Sequence, residues 1–287
     1  MSMVVNRRDL DFILYETLDL ESVLQSDRYA DYDRESLDAM LDLCQTIAED
    51  QFLPCAGELD ANEPKFVDGK VETIPELKQA INAYQEAGLC TSAYDLEIGG
   101  MQLPWMVDQA LNGMFVCANN PAHMYLFLTQ GVANMLNACG SRELKDKYLP
   151  NLVEGKWFGT MCLSEPQAGS SLADIRTKAE LNADGSYSIS GTKMWISGGD
   201  QDLTENIIHM VLAKVPGSPP GVKGISLFLV PKCRVNDDGS VGEDNNIALA
   251  GLNHKMGCRG ATNCLLNFGE SGESIGYLVG ELNQGLA

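Results

Sequence analysis

Basic residues are scarce in this chain of 287: 20 Lys and Arg stand against 40 Asp and Glu, a formal charge of −20. Such a chain repels a phosphate backbone, so nucleic-acid binding is not expected. An anionic ligand would have to be held locally, by backbone N–H groups, helix N-termini and a few placed cations. Histidine is scarcer still, and His123, His209 and His254 show no i, i+4 spacing. The nine cysteines contain no C-x-x-C pair. A zinc site or a Cys–His nucleophile therefore has little support, and the cysteines read as reduced, mostly buried thiols. No run of eighteen apolar residues marks a membrane span, and no apolar region with a cleavage site follows the Arg7-Arg8 pair. There is no repeat, no low-complexity segment and no strand leading into G-x-G-x-x-G. With 45% hydrophobic residues, the expectation is a soluble, cytoplasmic globular protein of two domains.

The first half reads as helices. Leu37, Met40, Leu41, Cys44, Ile47 and Ala48 recur at helical spacing after Asp33, a candidate N-cap. Arg8 to Leu24 is a more acidic candidate, and Ile74 to Ala87 is opened by Pro75 and closed by Gly88. A polar loop is expected before Ile74. Pro104 to Ala118 and Pro121 to Ala138 are apolar almost all round and should be central helices. Gly140 is then a C-cap, and Ser141 caps a last helix ending near Gly155.

Beyond Gly155 short β-prone runs alternate with turn dipeptides. Thr177 to Asn182, Asp184-Gly185 and Tyr187 to Ser190 form a hairpin signature. Lys193 to Ser197, Ile207 to Val215, Ile225 to Val230 and Asn263 to Phe268 are further strands, with loops at Pro216 to Gly224 and Asn236 to Gly239. The expected fold class is α+β: an all-α domain over 1–155, then an antiparallel β-barrel or sandwich over 156–287.

Two segments carry chemistry. Leu163-Ser-Glu-Pro-Gln-Ala-Gly-Ser170 sets small residues and free backbone N–H groups in a Pro/Gly loop, as a phosphate or a flavin edge requires. Gly191-Thr-Lys-Met-Trp-Ile-Ser197 sets one large aromatic beside a hydroxyl. Either alone is more often a plain loop or a core strand.

These two segments and the turn Lys255-Met-Gly-Cys-Arg-Gly260 resemble the acyl-CoA dehydrogenase family over nearly all of residues 155 to 287. The helical half, with Asn119-Asn-Pro and Leu144-Lys-Asp-Lys-Tyr-Leu-Pro150, has that family's order of elements. Asp202 to His209 followed by Gly224 to Pro231 is similar to the subgroup containing methylmercaptopropionyl-CoA dehydrogenase. The resemblance implies FAD as cofactor and α,β-desaturation of an acyl-CoA thioester. In that reaction a carboxylate removes the α-proton, the β-hydrogen leaves as hydride, and the developing charge is stabilised in a dry site.

It also implies roles, residue by residue. Met161 and Leu163 would lie along the flavin ring, Ser164 would bond its pyrimidine edge, and Gly169 and Ser170 would approach the pyrophosphate. Trp195 would cover the dimethylbenzene side, and Ile196 or Ser197 would reach N5. Ser170, Pro220 and Gly221 would contact the acyl-CoA, and Arg259 could serve a phosphate or brace its turn. Ser197 stands where many members have Thr, and Ser171 where Asp is common.

Glu165, directly before Pro166, is expected to order its own loop rather than act as base. The family's base is a Glu of a C-terminal helical bundle, expected beyond Ala287 and absent from these residues, so no catalytic residue is assigned here. A truncated chain would leave apolar surface exposed on the helices meant to pack on that bundle. The implied partners are acyl-CoA, an electron-transfer flavoprotein as acceptor, and further copies of the chain in a homo-oligomer. A non-catalytic acyl-CoA-binding or assembly module and a flavin-dependent oxidase are the alternatives.

Overall fold

A computed structural model describes residues 2–286. It resolves two compact units, one of Met1–Asn62 with Ile74–Met124 and one of Glu63–Thr73 with Tyr125–Ala287. Among the described residues no helix is long and apolar enough to cross a membrane.

The first unit is helical. The helix Arg34–Ile47 starts where expected, because Asp33 accepts from the Ser36 N–H while the Ser36 hydroxyl lies 3.0 Å from the Asp33 N–H, a reciprocal cap. Pro75 opens Pro75–Glu86, where its missing N–H costs nothing. The Arg8 to Leu24 candidate is instead broken into Arg7–Asp11, a π-helical turn Phe12–Thr17, and Leu20–Val23 after a left-handed Asp19. Trp105–Cys139 bends at Asn119 (φ −161°, ψ 85°), just before Pro121. The Asn119 side chain holds that break, accepting from Ala122 N at 3.2 Å and donating to Phe52 O at 3.0 Å. Around it Phe52, Tyr84 and Phe115 pack edge to face with centroids 4.8–6.3 Å apart. His123 stacks on Phe115 and bonds Asn112 Oδ1 at 2.8 Å; burial pushes its pKa down to about 4, so it is a neutral packing residue.

Among the described residues the second unit contains twelve strands: β1 (Lys65–Val67), β2 (Lys70–Glu72), β3 (Trp157–Cys162), β4 (Lys178–Leu181), β5 (Tyr187–Ser197), β6 (Asn206–Lys214), β7 (Ile225–Pro231), β8 (Cys233–Val235), β9 (Val241–Asp244), β10 (Ile247–Leu252), β11 (Asn263–Phe268) and β12 (Ser274–Val279). The polar loop before Ile74 is thus a hairpin, β1–β2, turning on Asp68 and Gly69, both at positive φ. Helix Arg142–Val153 is capped by Ser141, as expected.

Five strands close a barrel in the order β4, β5, β12, β7, β6 and back to β4. The expected antiparallel architecture is therefore corrected to a mixed one. A ring of five strands cannot alternate direction all the way round, so one neighbouring pair must be parallel. That pair is β4 and β6, joined at Lys178 and Lys214 with Lys214 N donating to Thr177 O at 2.9 Å. Strand β3 also runs parallel to β6. The runs Tyr187 to Ser190 and Lys193 to Ser197 are one strand: its first part pairs with β4 and β12, its second leaves to pair with β11. Gly191, at φ 149°, sits where the partners change. A hydrophobic core cluster of this unit joins barrel strands to β3 and β11, and contains Cys162, Ala179, Tyr187, Ile189, Val211, Phe228 and Leu266 among others.

All nine cysteines are free, and only Cys117 and Cys139 are exposed. No group of three potential metal ligands exists among the described residues.

Candidate functional site

The Leu163 to Ser170 loop leaves the end of β3 and folds back on itself: Glu165 N donates to Ala168 O at 2.7 Å and Ala168 N to Glu165 O at 3.1 Å. Its anchor is the Glu165 carboxylate. Oε1 receives the Thr177 hydroxyl (2.6 Å), the Thr177 N–H (3.0 Å) and Lys193 Nζ (3.0 Å). Oε2 receives the Arg176 N–H and Gln167 Nε2, each at 2.7 Å. Burial alone would raise this carboxyl, but the Thr177 hydroxyl, Lys193 and the two backbone donors outweigh it and hold it at about 2. With both oxygens occupied, Glu165 orders its loop and has no lone pair free for a substrate proton. Lys193, fully buried, is drawn below its ordinary value by burial, with Glu165 opposing. Sequence reasoning assigned Lys193 and Thr177 no role; the available signal was a lysine inside an otherwise uncharged strand.

Strand β5 presents Trp195 through a bulge. Ser197 and Ile196 pair with Asn263 and Cys264, but the next pair is Lys193 with Leu266, so Leu265 faces both Met194 and Trp195. Trp195 takes φ 66°, a left-handed conformation a bulky residue rarely adopts, and the residue is 51% exposed. The bulge turns a large ring outward from a strand whose neighbours stay in place. Because the strain belongs to any side chain with a Cβ, Trp195→Gly should be more stable than Trp195→Ala by about 1 kcal/mol in urea unfolding. Equal stabilities would remove the argument for strain.

The loop and the bulge are tied together. Met194 N donates to Ser164 O at 2.9 Å, and Lys193 Nζ to Leu163 O at 2.9 Å. Ser164, Leu163 and Met161 are half-buried; Met161 lies on β3 opposite Met210. Gly169 and Ser170 are exposed, and their N–H groups find no partner among the described residues, as a cradle for an anionic group requires. Ile196 goes elsewhere: its side chain lies in the hydrophobic core, leaving only its backbone at this face. Ser197 is half-buried, with Asn263 Nδ2 at 3.4 Å from its hydroxyl.

Pro220 and Gly221 lie in the β6–β7 connection, where the turn Gly221–Gly224 packs on the turn Leu172–Asp174 that follows Ser170. Lys214 Nζ bonds Ala173 O at 2.6 Å and fixes that approach. The structure thus brings the Ser170 and Pro220 loops together. Arg259 braces its turn, donating to Lys255 O at 3.2 Å with Glu63 at 3.5 Å, while Lys255 Nζ stands 5.8 Å from the Trp195 ring centroid. A cavity of about 140 Å³ opens beside them, lined by Glu63, Asn253, His254, Arg259, Thr262 and others.

This arrangement fits a flavin: an outward ring on a strained bulge, a loop with unused N–H groups, and a buried ion pair joining them. The acyl-CoA dehydrogenase N-terminal domain profile matches residues 34–156 and the middle domain profile residues 160–270. A butyryl-CoA dehydrogenase of Syntrophomonas wolfei is 37% identical over 279 residues, covering 96% of this chain and 46% of that protein. The 3-methylmercaptopropionyl-CoA dehydrogenase of Ruegeria pomeroyi is 34% identical, covering 97% of this chain and 47% of that one. Among solved structures, an acyl-CoA dehydrogenase from Bacillus anthracis complexed with FAD superposes with a TM-score of 0.68 at 21% identity, over 89% of this chain and 39% of that one. The chain spans about half the length of the curated relatives it matches. With its helical half matching one domain of the family and its barrel the next, the chain belongs to the acyl-CoA dehydrogenase family, of which it carries the N-terminal and middle domains.

Proposed function

We propose that the chain is the flavin- and acyl-CoA-binding part of an FAD-dependent enzyme that desaturates an acyl-CoA thioester between its α and β carbons. The observation that carries this is the tie between the Leu163 to Ser170 loop and the Trp195 bulge. Bound there, the flavin supplies two-electron acceptance. Met161 and Leu163 line the ring, Ser164 bonds its polar edge, and the N–H groups of Gly169 and Ser170 meet the pyrophosphate. Trp195 covers the outer rings and keeps water off them. The Ser197 hydroxyl would hydrogen-bond the flavin and help to stabilise its reduced form, while Ile196 would contribute only backbone. Ser170, Pro220 and Gly221 take the acyl-CoA, supported by the packing of their two loops.

The reaction needs a carboxylate base, and the satisfied Glu165 does not provide one, so we place the base outside these 287 residues. The exposed Trp105 and Val116 of the first unit, and Phe127 of the second, agree with a further helical domain packing on this part. The match of two profiles meeting between residues 156 and 160 supports a functional division into 1–155 and 156–287. The family reading also supplies the rest of the proposal: an electron-transfer flavoprotein as acceptor, a homo-oligomer, and a cytoplasmic site of action.

Titration of the chain with FAD, followed in the visible spectrum, tests this. The expected result is binding, weakened in Trp195→Ala, with no bleaching when a medium-chain acyl-CoA is added anaerobically. Bleaching would place a base within the chain and make Glu165 the first residue to mutate. Binding of acyl-CoA without flavin would favour a non-catalytic module.

A further inference from the structure

We propose that Lys193 is a positioning residue for the flavin face, one that aims the Leu163–Ser164 peptide as well as pairing with Glu165. The inference rests on the proposed flavin site.

A lysine usually lays its stem on apolar surface and keeps its ammonium in water. Lys193 does the opposite, and its side chain has no exposure. The ammonium is used twice, on Glu165 Oε1 at 3.0 Å and on Leu163 O at 2.9 Å. The second contact has a geometric consequence. A trans peptide is planar, with its C=O and N–H pointing in opposite directions. Drawing Leu163 O toward the buried ammonium therefore turns the Ser164 N–H away from it, and that N–H finds no partner among the described residues. The next peptide is held from the same strand, through Met194 N and Ser164 O at 2.9 Å.

Residues 193 and 194 thus bind two consecutive loop carbonyls, at the entry to the bulge that turns Trp195 outward. A left-handed Trp persists only where its surroundings over-determine it. The loop's N–H and the Trp195 ring are set by one short piece of β5, with the Lys193 ammonium, bonded to both Leu163 O and Glu165 Oε1, as the link. A purely structural ion pair would need only the Glu165 contact.

The test compares Lys193→Met with Thr177→Val, which removes one Glu165 partner and leaves the Leu163 contact intact. FAD affinity is read by titration, and the Ser164 amide and Trp195 indole are read by ¹⁵N-resolved NMR of the flavin-free chain. Lys193→Met is expected to weaken FAD at least tenfold and to shift both resonances. Thr177→Val is expected to lower stability while leaving affinity within about threefold and both resonances in place. If Lys193→Met does not fold, the double variant Glu165→Gln/Lys193→Met removes the stranded carboxylate and is read in the same way. Unchanged resonances in a folded Lys193 variant, or equal losses in the Lys193 and Thr177 variants, would overturn the proposal. A wild-type chain that binds no flavin would instead count against the flavin reading, and the two resonances would still decide the role of Lys193.

Discussion

Glu165→Gln lowers the stability of the chain by about 3–5 kcal/mol in urea unfolding, because it strands a fully buried ammonium, and Lys193→Met lowers it by a similar amount for the converse reason. The double variant loses much less than the sum of the two, since neither stranded charge then remains. The pair is not in itself a large net stabiliser: removing both charges from water is expensive, and most of the expected loss is the cost of leaving one unpaired. The pH dependence follows from the carboxylate. Its folded value of about 2 lies below the ordinary 4.5, so its contribution, about 3 kcal/mol, is fully present above pH 4.5 and is lost as the pH falls through about 2. Wild-type stability should show that loss between pH 5 and pH 2, and Glu165→Gln should lack it. Additive single variants with an unchanged acid profile would mean that the pair is open to solvent.

Gly191→Ala is expected to cost about 3–5 kcal/mol, combining backbone strain with overpacking. Its φ of 149° belongs to a region that side chains avoid, and a Cβ there would stand 2.6 Å from Thr177 Oγ1 and 2.8 Å from Thr177 Cα. The backbone of Thr177 cannot retreat freely, since its O accepts the Lys214 N–H that closes the barrel and its N–H serves Glu165. The effect should therefore be less than additive with Glu165→Gln, as both act through Thr177. Gly159→Ala is the control: it has no positive φ, the three atoms nearest its Cβ would be those of the Val132 side chain, at 2.6–2.9 Å, and overpacking alone is expected to cost about 1–3 kcal/mol. If chemical denaturation shows Gly191→Ala to be no worse than Gly159→Ala, the pivot has slack that the geometry denies.

Much of the helical half was legible because its signals are local. Asp33, Pro75 and Ser141 act within one turn of their own positions, and a cap or an N1 proline needs no distant partner. Misreadings occurred where the local signal was weak or overruled. Strand β3, Trp157–Cys162, is buried on both faces, so it shows no alternation and merges into the loop that follows it. The Asp68-Gly69 turn was a readable hairpin signal inside a segment too polar to suggest strands. Gly191 looked like the end of a strand, whereas it marks a change of partner within one.

The candidate site divides in the same way. Its residue types and their order, the small-residue loop and the Trp-Ile-Ser strand, were present in the chain itself and sufficed for the family. The acidic composition made a nucleic-acid surface unexpected, and three scattered histidines gave little support to a metal centre. Tertiary structure alone decided that Ile196 faces the core while Trp195 faces out, since one bulged residue reverses the side chains that follow it. It alone made the barrel mixed, because closure with five strands is a property of the ring and of no single strand. It alone also brought Glu165, Thr177 and Lys193 together, since burying a charge is tolerable only when its partner arrives from elsewhere in the chain.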